Sequence, residues 1–385
     1  MRPSAEEVAM GEPACRACGT SKGQLVLDLG EQPACDYFPR QDDPGPDPVY
    51  PLQMWLCAAC GLAQLLADPT VPEEPRGAEP AALVAQAADA VARVGAGGLL
   101  AHRNRVAEYG SPHGGSWLGL LGERGLRPVP DGAPADVILD CFGLMHAADQ
   151  GAALAERTAR LAPGGVLLLQ YHALDAIIRH GQWNALRHGH YAYYSATALT
   201  AMLAAAGLRP RRAWEFGLYG GTVLLAASRD GDPGALAADG SVPPLLARDE
   251  RAGVRDPGTL AGLQHDARAR AAGLRDWLTR ERAAGRSVLG YGAASRAVAL
   301  LRWADADRTL ISAVADASPA KRGRRMPGTD IGVVGPDVLA AHPGASVVLF
   351  VPDLLPEVRA ACPEVEAAGG RWVDAEALAP SGPAR

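Results

Sequence analysis

The chain has 385 residues, of which 48% are hydrophobic and 21% are charged, and its formal net charge is −6. The acidic balance, without a basic stripe that could neutralise phosphates, argues against a nucleic-acid-binding protein, and no apolar run approaches the roughly 20 residues of a membrane span. Because the start of the chain also lacks a signal-peptide pattern, we expect a cytoplasmic protein with a small-molecule substrate, no nucleic-acid or membrane partner, and an oligomeric state that stays open.

Four cysteines near the N-terminus form two C-x2-C pairs, Cys15 with Cys18 and Cys57 with Cys60. A glycine follows each pair and lets the chain turn so that backbone N–H groups face the sulfur atoms. Two such pairs can surround a tetrahedral zinc ion, whereas a disulfide framework is unusual in a chain without an export signal. We therefore predict a structural zinc site with no open position. The other cysteines are predicted to be small buried residues: Cys35, Cys141 and Cys362.

Residues 1–70 are predicted to form this zinc-binding module. A Pro- and Glu-rich segment links it to a middle domain over 71–235, which begins with an Ala-rich helix over 79–103. A strand and glycine turn in VAEYGSPHGGSW follow, then a buried strand over 135–143, a helix, and a strand over 164–172. The last two strands, around RRAWEF and GGTVLLAAS, are predicted to close the sheet as an antiparallel pair.

A Gly-, Pro- and Asp-rich join leads to a C-terminal domain over 236–385. A long Arg-rich helix comes first and ends near Ala284. Strands and helices then alternate through SVLGYGAASRAVALL, LISAVADASPAKRG and ASVVLFVPDLLPEVRAA. Such alternation is typical of a layered α/β structure, so we predict a second α/β domain here.

Several stretches, taken in order, resemble one protein family: LDLGEQPACDYF, YPLQMWLCAACGLAQL, VAEYGSPHGG, HGHYAYYS, GYGAASRA and ADASPAKRGRRMPGT. They are similar to the three-domain, zinc-containing sugar C-methyltransferases of antibiotic pathways. The resemblance implies an S-adenosylmethionine (SAM)-type core and a sugar-nucleotide site shared with the C-terminal domain. The predicted fold class is accordingly α/β, with an N-terminal zinc-binding module, a reduced class I methyltransferase-like (Rossmann-like) middle domain, and a C-terminal Rossmann-like domain.

One departure from the family lies between Gly110 and Ala135, where the chain has room for one helix but not for two further strand–helix units. We therefore predict a reduced sheet without the ribose and adenine contacts of SAM. The edge of this sheet would be covered by the 79–103 helix or by a neighbouring domain. In the alternative, a truncated second strand lies at Val129, and Asp131 is the acidic residue that binds the ribose of SAM. The residues that would then bind SAM are Glu108, Gly110, Gly114 and Asp131.

A second departure lies in the segment that corresponds to the family's Tyr-His-Glu-His pattern, whose last histidine looks like the general base. Here the segment is Arg187-His188-Gly189-His190, so Gly189 stands where the family has a glutamate. No carboxylate at this position can raise the pKa of the histidine or hold its ring. Two imidazoles and an arginine instead suit the polarisation of an anionic or enolate oxygen. The predicted catalytic residues are His190, His188 and Tyr193. The predicted substrate-binding residues are His113, His172, Arg187 and Tyr219. Three histidines lie at or near the C-terminal ends of predicted strands: His113, His146 and His172.

These departures favour a divergent member of the family, similar to the SAM-independent cyclases of methyltransferase descent in polyketide pathways, including polyether tetronate pathways. Such an antibiotic-biosynthesis enzyme would catalyse a ring closure or rearrangement on a polyketide-like substrate. Its pocket would lie between the middle and C-terminal domains, at the carboxyl ends of the strands. Zinc would be the structural metal, and no bound SAM is expected. The alternatives are a SAM-dependent C-methyltransferase acting on a dTDP-deoxysugar and a catalytically inactive binding partner.

Overall fold

The computed structural model describes residues 13–43, 45–70, 79–112, 114–232 and 234–378. The N-terminal part contains β1 (Gly23–Pro33), β2 (Val49–Cys57) and β3 (Ala63–Leu65). The middle part contains α1 (Ala81–Ala96), β4 (Arg105–Gly110), α2 (Leu118–Gly122), β5 (Arg127–Pro128), β6 (Ala135–Cys141), α3 (Gln150–Ala159), β7 (Leu161–His172), α4 (Leu174–Arg179), β8 (Ala192–Tyr193), α5 (Ala196–Ala205), β9 (Leu208–Phe216) and β10 (Thr222–Arg229). The C-terminal part contains α6 (Val242–Ala252), α7 (Pro257–Ala283), β11 (Val288–Tyr291), α8 (Ser295–Trp303), β12 (Val314–Ala315), β13 (Val333–Val334), β14 (Ser346–Leu349), α9 (Leu355–Ala361), α10 (Glu364–Ala367) and β15 (Arg371–Asp374).

The N-terminal sheet is antiparallel, in the order β1-β2-β3-β8. Its last strand comes from the middle part of the chain, because Ala63 of β3 pairs with Tyr193 of β8. The sheet also packs against α7 and α8 of the C-terminal part, with which it shares one apolar core. A bidentate ion pair between Arg325 and Asp47, with both N–O distances 2.6 Å, ties the same two parts together. The N-terminal module is thus joined to both other parts.

The middle sheet has the order β5-β4-β6-β7-β10-β9, in which β5, β4, β6 and β7 are parallel. The predicted closing pair is present, since β10 runs antiparallel to both β7 and β9. The apolar residues of β6 and β7 are buried, as expected for strands that are covered on both faces. Asp149 caps α3 and Ser195 caps α5 through bonds to the third backbone N–H of each helix.

The predicted reduction of this sheet is confirmed within the described residues. Beyond β4 the sheet continues only with the two residues of β5, and the N–H of Val129 adds one more bond, to the carbonyl of Val106 at 2.9 Å. The expected cover of this edge is absent, because α1 packs on a face of the sheet and both residues of β5 are exposed. Pro128 explains why an open edge is tolerated here, since proline has no N–H with which to pair another strand.

The C-terminal sheet is parallel throughout, with the order β13-β12-β11-β14-β15. This is the doubly wound topology predicted as Rossmann-like, and its connections reverse direction between β11 and β14. The helix α6, which was predicted to belong to this domain, packs instead against α4, α5 and β9. The boundaries 1–70, 71–235 and 236–385 remain predictions. Among the described residues, no helix has the combination of length and hydropathy that a bilayer crossing requires.

Candidate active site

The four predicted zinc ligands meet in space. The Sγ atoms of Cys15 and Cys60 lie 3.5 Å apart, those of Cys18 and Cys57 lie 3.7 Å apart, and all four fall within 4.8 Å of one another. A tetrahedral zinc ion with bonds of ~2.3 Å needs sulfur atoms roughly 3.8 Å apart, so this donor set fits zinc. The N–H of Cys60 lies 3.4 Å from Sγ of Cys57, and Gly61 has a φ of 78°, as the predicted turn requires. With four protein thiolates, the site leaves no position for substrate.

Arg16, inside the first cysteine pair, connects the zinc site to the middle part. Its Nη1 donates to the carbonyl oxygen of Ala148 at 3.0 Å, and its guanidinium lies 4.7 Å from the ring centroid of Tyr191. Its own carbonyl accepts the N–H of Gln150, the first residue of α3, at 3.1 Å. Because β8 directly follows Tyr191, the zinc site and β8 are held in one rigid unit.

A cavity of about 280 Å³ lies between the middle and C-terminal parts, where β4, β6, β7, β11 and β14 end. Its position coincides with the place that the sequence predicts for the pocket. Five predicted site residues and one predicted SAM-binding glycine lie on its walls: His172, Arg187, His190, Tyr193, Tyr219 and Gly114. Four other predicted residues do not line it: Glu108, Gly110, Asp131 and His188. His113 lies outside the described residues.

His188 faces the N-terminal module, and this corrects its prediction as a catalytic residue. Its Nε2 lies 3.3 Å from the carbonyl oxygen of Pro51, and its ring contacts Tyr50 edge-on at 6.1 Å between centroids. Burial lowers the pKa of His188, so the buried ring stays neutral. The reason is local, because Gly189 has a φ of 80° and turns the chain between the two histidines. His188 therefore supports the module while His190 lines the cavity.

Arg187 points into the cavity and bridges two parts of the chain. Its Nη1 donates to Oγ of Ser295, the first residue of α8, at 2.7 Å, and its Nε donates to Nδ1 of His190 at 3.3 Å. Since an arginine can only donate, a neutral His190 must carry its proton on Nε2. The backbone N–H of Arg187 also donates to the hydroxyl of Tyr193, whose pKa is raised by burial. In this tautomer His190 can donate from Nε2, and the protonated hydroxyl of Tyr193 can donate as well.

His146 is a cavity residue that the sequence analysis did not assign to the site. It ends the short 3-10 turn after β6, and its Nδ1 lies 2.9 Å from the carbonyl oxygen of Gly189, so this nitrogen carries the proton. Its Nε2 is then an acceptor, 3.4 Å from Oγ of Ser111. The rings of His146 and His190 meet edge-on with centroids 4.6 Å apart. The cavity therefore holds one histidine that donates beside one that accepts.

His172, at the end of β7, is the third histidine of the cavity. Burial, together with the smaller effect of the positive charge of Arg296, lowers its pKa to about 4, so the ring is neutral at pH 7. Its Nε2 is buried and has no hydrogen-bond partner among the described residues. Tyr219, at a left-handed φ of 55°, lies beside it with ring centroids 6.1 Å apart.

The C-terminal part gives the cavity positive charge. Arg296 donates to Asp353 at 2.7 Å, and Lys321 donates to the carbonyl oxygen of Ala293 at 2.7 Å while lying 4.8 Å from the ring centroid of Phe38. Both cations line the cavity, together with the N-terminal residues of α8, a helix without a side-chain cap. Cations beside a helix N-terminus are suited to binding an anion.

The glycine turn after β4 supplies a bare stretch of backbone at the cavity. Gly114 has a φ of 103° and lines the wall, and a Cβ atom at the neighbouring Gly143 would lie 2.7 Å from the carbonyl oxygen of Tyr109. The carboxylate of Glu108 fixes the turn by accepting two hydrogen bonds, one from the hydroxyl of Ser116 at 2.6 Å and one from the backbone N–H of Trp117 at 2.7 Å. A turn of this kind allows the close approach that the amino-acid end of SAM needs.

The other end of a SAM site is less complete. Asp131, the predicted ribose acid, is exposed in a turn just after the short β5 and does not line the cavity. The residues present therefore fit the amino-acid end of SAM. Asp131, which the alternative reading of the sequence assigns to the ribose of SAM, does not reach the cavity.

Three family descriptions match consecutive parts of the chain: a putative zinc binding domain at residues 15–74, a methyltransferase domain at 74–212, and a C-methyltransferase C-terminal domain at 217–375. The C-methyltransferase NovU of Streptomyces niveus is 25% identical over 405 residues, which cover 93% of this chain and 94% of that protein.

Solved methyltransferase structures are similar to smaller shares of the chain. Magnesium protoporphyrin IX methyltransferase (ChlM) from Synechocystis PCC 6803, with bound SAH, is 14% identical, covers 38% of this chain and 84% of its own, and has a TM-score of 0.29. The 1,6-didemethyltoxoflavin-N1-methyltransferase of Burkholderia thailandensis is 19% identical, covers 44% of this chain and 95% of its own, and has a TM-score of 0.26.

The comparisons contradict the predicted SAM-independent cyclase. The matches to NovU and to the three domains extend over nearly the whole chain, and two of those domains are methyltransferase domains. The physical error lay in equating a shortened sheet edge with a lost cofactor. The reduction removes strands beyond β5, but the glycine turn after β4 and the cavity beside it are both present.

Proposed function

We propose that this protein transfers a methyl group from SAM to a carbon atom of a nucleotide-activated sugar. The observation that carries the proposal is the order of the three matches, a putative zinc binding domain, a methyltransferase domain and a C-methyltransferase C-terminal domain, together with the similarity to the C-methyltransferase NovU over 93% of the chain. The cavity supports it, because walls from the two larger parts of the chain combine the glycine turn with an anion-binding surface.

The glycine turn is the part of the cavity suited to SAM. Ser111 and Gly114 line the wall here, and Phe142 adds an aromatic surface beside the turn, since its backbone forms a bridge with Gly110. When bound, SAM supplies an electrophilic methyl group. The protein's contribution is to hold the cofactor's amino-acid end on the bare backbone and to exclude water from the space beyond it.

The wall that the C-terminal part contributes is suited to a sugar nucleotide. Arg296, Lys321 and the N-terminus of α8 can bind a diphosphate, and they lie where the C-terminal sheet reverses its connections. A dTDP-deoxysugar is the substrate class that this arrangement favours. The diphosphate would anchor the substrate while the sugar ring extends toward the three histidines.

A carbon atom can accept a methyl group only after it has lost a proton, so the reacting carbon must neighbour a carbonyl group. The proton needs an acceptor, and Nε2 of His146 is suited to this role because the bond to Gly189 places the ring's own proton on Nδ1. The negative charge then moves to the carbonyl oxygen. The N–H at Nε2 of His190, whose tautomer Arg187 fixes, is a suitable donor to that oxygen.

Calorimetry with SAM and with S-adenosylhomocysteine (SAH) tests the proposed function. We expect the purified wild-type protein to bind both with one site per chain, because methyl transfer requires a cofactor site. A protein that retains its zinc and its native melting transition but binds neither compound would contradict the proposal.

A further inference from the structure

Glu79 lies immediately before α1 and lines the cavity next to the glycine turn. A Cβ atom placed on Gly115 would lie 3.1 Å from Oε1 of Glu79, so the carboxylate rests on the backbone of that turn. The helix that follows is held by α9, since Glu357 accepts the N–H of Ala81 at 3.2 Å. Glu79 therefore lies in a segment that both the glycine turn and α9 contact.

Other acidic residues near this edge of the middle sheet are used elsewhere. Glu108 binds the end of the glycine turn, and Asp140 is buried against Arg157 at 2.6 Å. Asp131 is exposed after β5 and does not reach the cavity. Among the described residues that line the cavity, Glu79 is the only carboxylate.

The described lining of the cavity carries charges of both signs. The carboxylate of Glu79 lies at the glycine turn, and Arg187, Arg296 and Lys321 are the basic groups. SAM carries a sulfonium and an α-ammonium group, whereas a sugar nucleotide carries a diphosphate. The carboxylate would therefore attract the cationic cofactor, and the basic groups would attract the diphosphate.

We propose that Glu79 binds the α-ammonium group of SAM. The inference rests on the proposed function and adds to it a cofactor contact from the segment before α1. We assign Glu79 to the ammonium group and not to the ribose because Glu79 contacts the turn after β4 and does not contact β5. That turn is the part of the cavity proposed for the amino-acid end of SAM.

The test is calorimetry on the full-length wild-type protein and on two variants, Glu79→Gln and Glu123→Gln. Each substitution removes one negative charge from an exposed side chain and preserves its shape, and Glu123 does not line the cavity, so Glu123→Gln is a matched control. The probes are SAM, SAH and 5′-methylthioadenosine, which keeps adenine and ribose but lacks the amino-acid end. A thermal melt of each variant verifies that the fold is intact.

We expect Glu79→Gln to weaken SAM and SAH binding by about tenfold to a hundredfold, the effect of losing one charge-assisted hydrogen bond. It should leave 5′-methylthioadenosine binding unchanged, and Glu123→Gln should change none of the three. Equal affinities of wild type and Glu79→Gln for SAM would overturn the inference, and so would an equal loss for 5′-methylthioadenosine, which would assign the carboxylate to the ribose. A wild-type protein that binds neither SAM nor SAH would instead refute the proposed function itself.

Discussion

Two regions beside the cavity differ in how completely they are supported. Residues 187–194 form the well-supported side, because β8 pairs with β3 of the N-terminal sheet and the segment is also held by Arg16 and by Arg187. At the other region, the open edge of the middle sheet, the sheet ends with the two exposed residues of β5. Two of the predicted catalytic residues, His190 and Tyr193, come from the well-supported side. The difference teaches that the middle sheet can be short at one edge while the segment that lines the cavity is held in place.

Removal of zinc should have the largest effect, because it breaks the well-supported side. Without the ion, Cys57→Ser protein should lose the order of the N-terminal sheet, and β8 would lose its partner β3. We expect about one zinc per chain in wild type, little zinc in Cys57→Ser, and complete loss of methyl transfer. Metal analysis, a thermal melt and an activity assay measure these outcomes.

Cys362→Ser is the matched control for zinc removal. Cys362 is buried in the C-terminal part and has no place in the zinc site, so its substitution should lower stability without loss of metal. Four freely titratable thiols in the native wild-type N-terminal module would contradict the zinc prediction.

A smaller effect should separate His190 from His188, two buried histidines only two residues apart. His190→Ala removes a donor from the cavity and should lower kcat by roughly tenfold to a thousandfold with little change in Tm. His188→Ala removes the contact with Pro51 and should lower Tm while kcat falls by no more than about threefold. Steady-state kinetics and thermal melts on both variants give the comparison. The assignment fails if His188→Ala is the variant with the large loss of kcat.

Much of the architecture could be predicted from the sequence, because the cysteine spacing and the alternation of apolar segments act locally. The zinc ligands, the reduced sheet and the antiparallel pair of β9 and β10 follow from such patterns. His188 was placed wrongly because the sequence does not show that Gly189 turns the chain between the histidines. His146 and Glu79 reach the cavity from a short turn and from the segment before α1, and neither residue lies in a motif.

The functional prediction failed for a different reason. It treated the missing strand–helix units as the cofactor site itself, although the amino-acid end of SAM depends on the turn after β4. Only a three-dimensional view shows that this turn, the three histidines and the basic residues of the C-terminal part surround one cavity. The sequence motifs could not reveal how charge is distributed within it.

The central claim is methyl transfer to carbon, and the mass of the product tests it most directly. Wild-type protein is incubated with a dTDP-linked keto-deoxysugar, with and without SAM whose methyl group carries deuterium, and the products are analysed by mass spectrometry. The account predicts a product that gains one labelled methyl group, bound to carbon, only when SAM is present. A product of unchanged mass that forms equally well without SAM would contradict it.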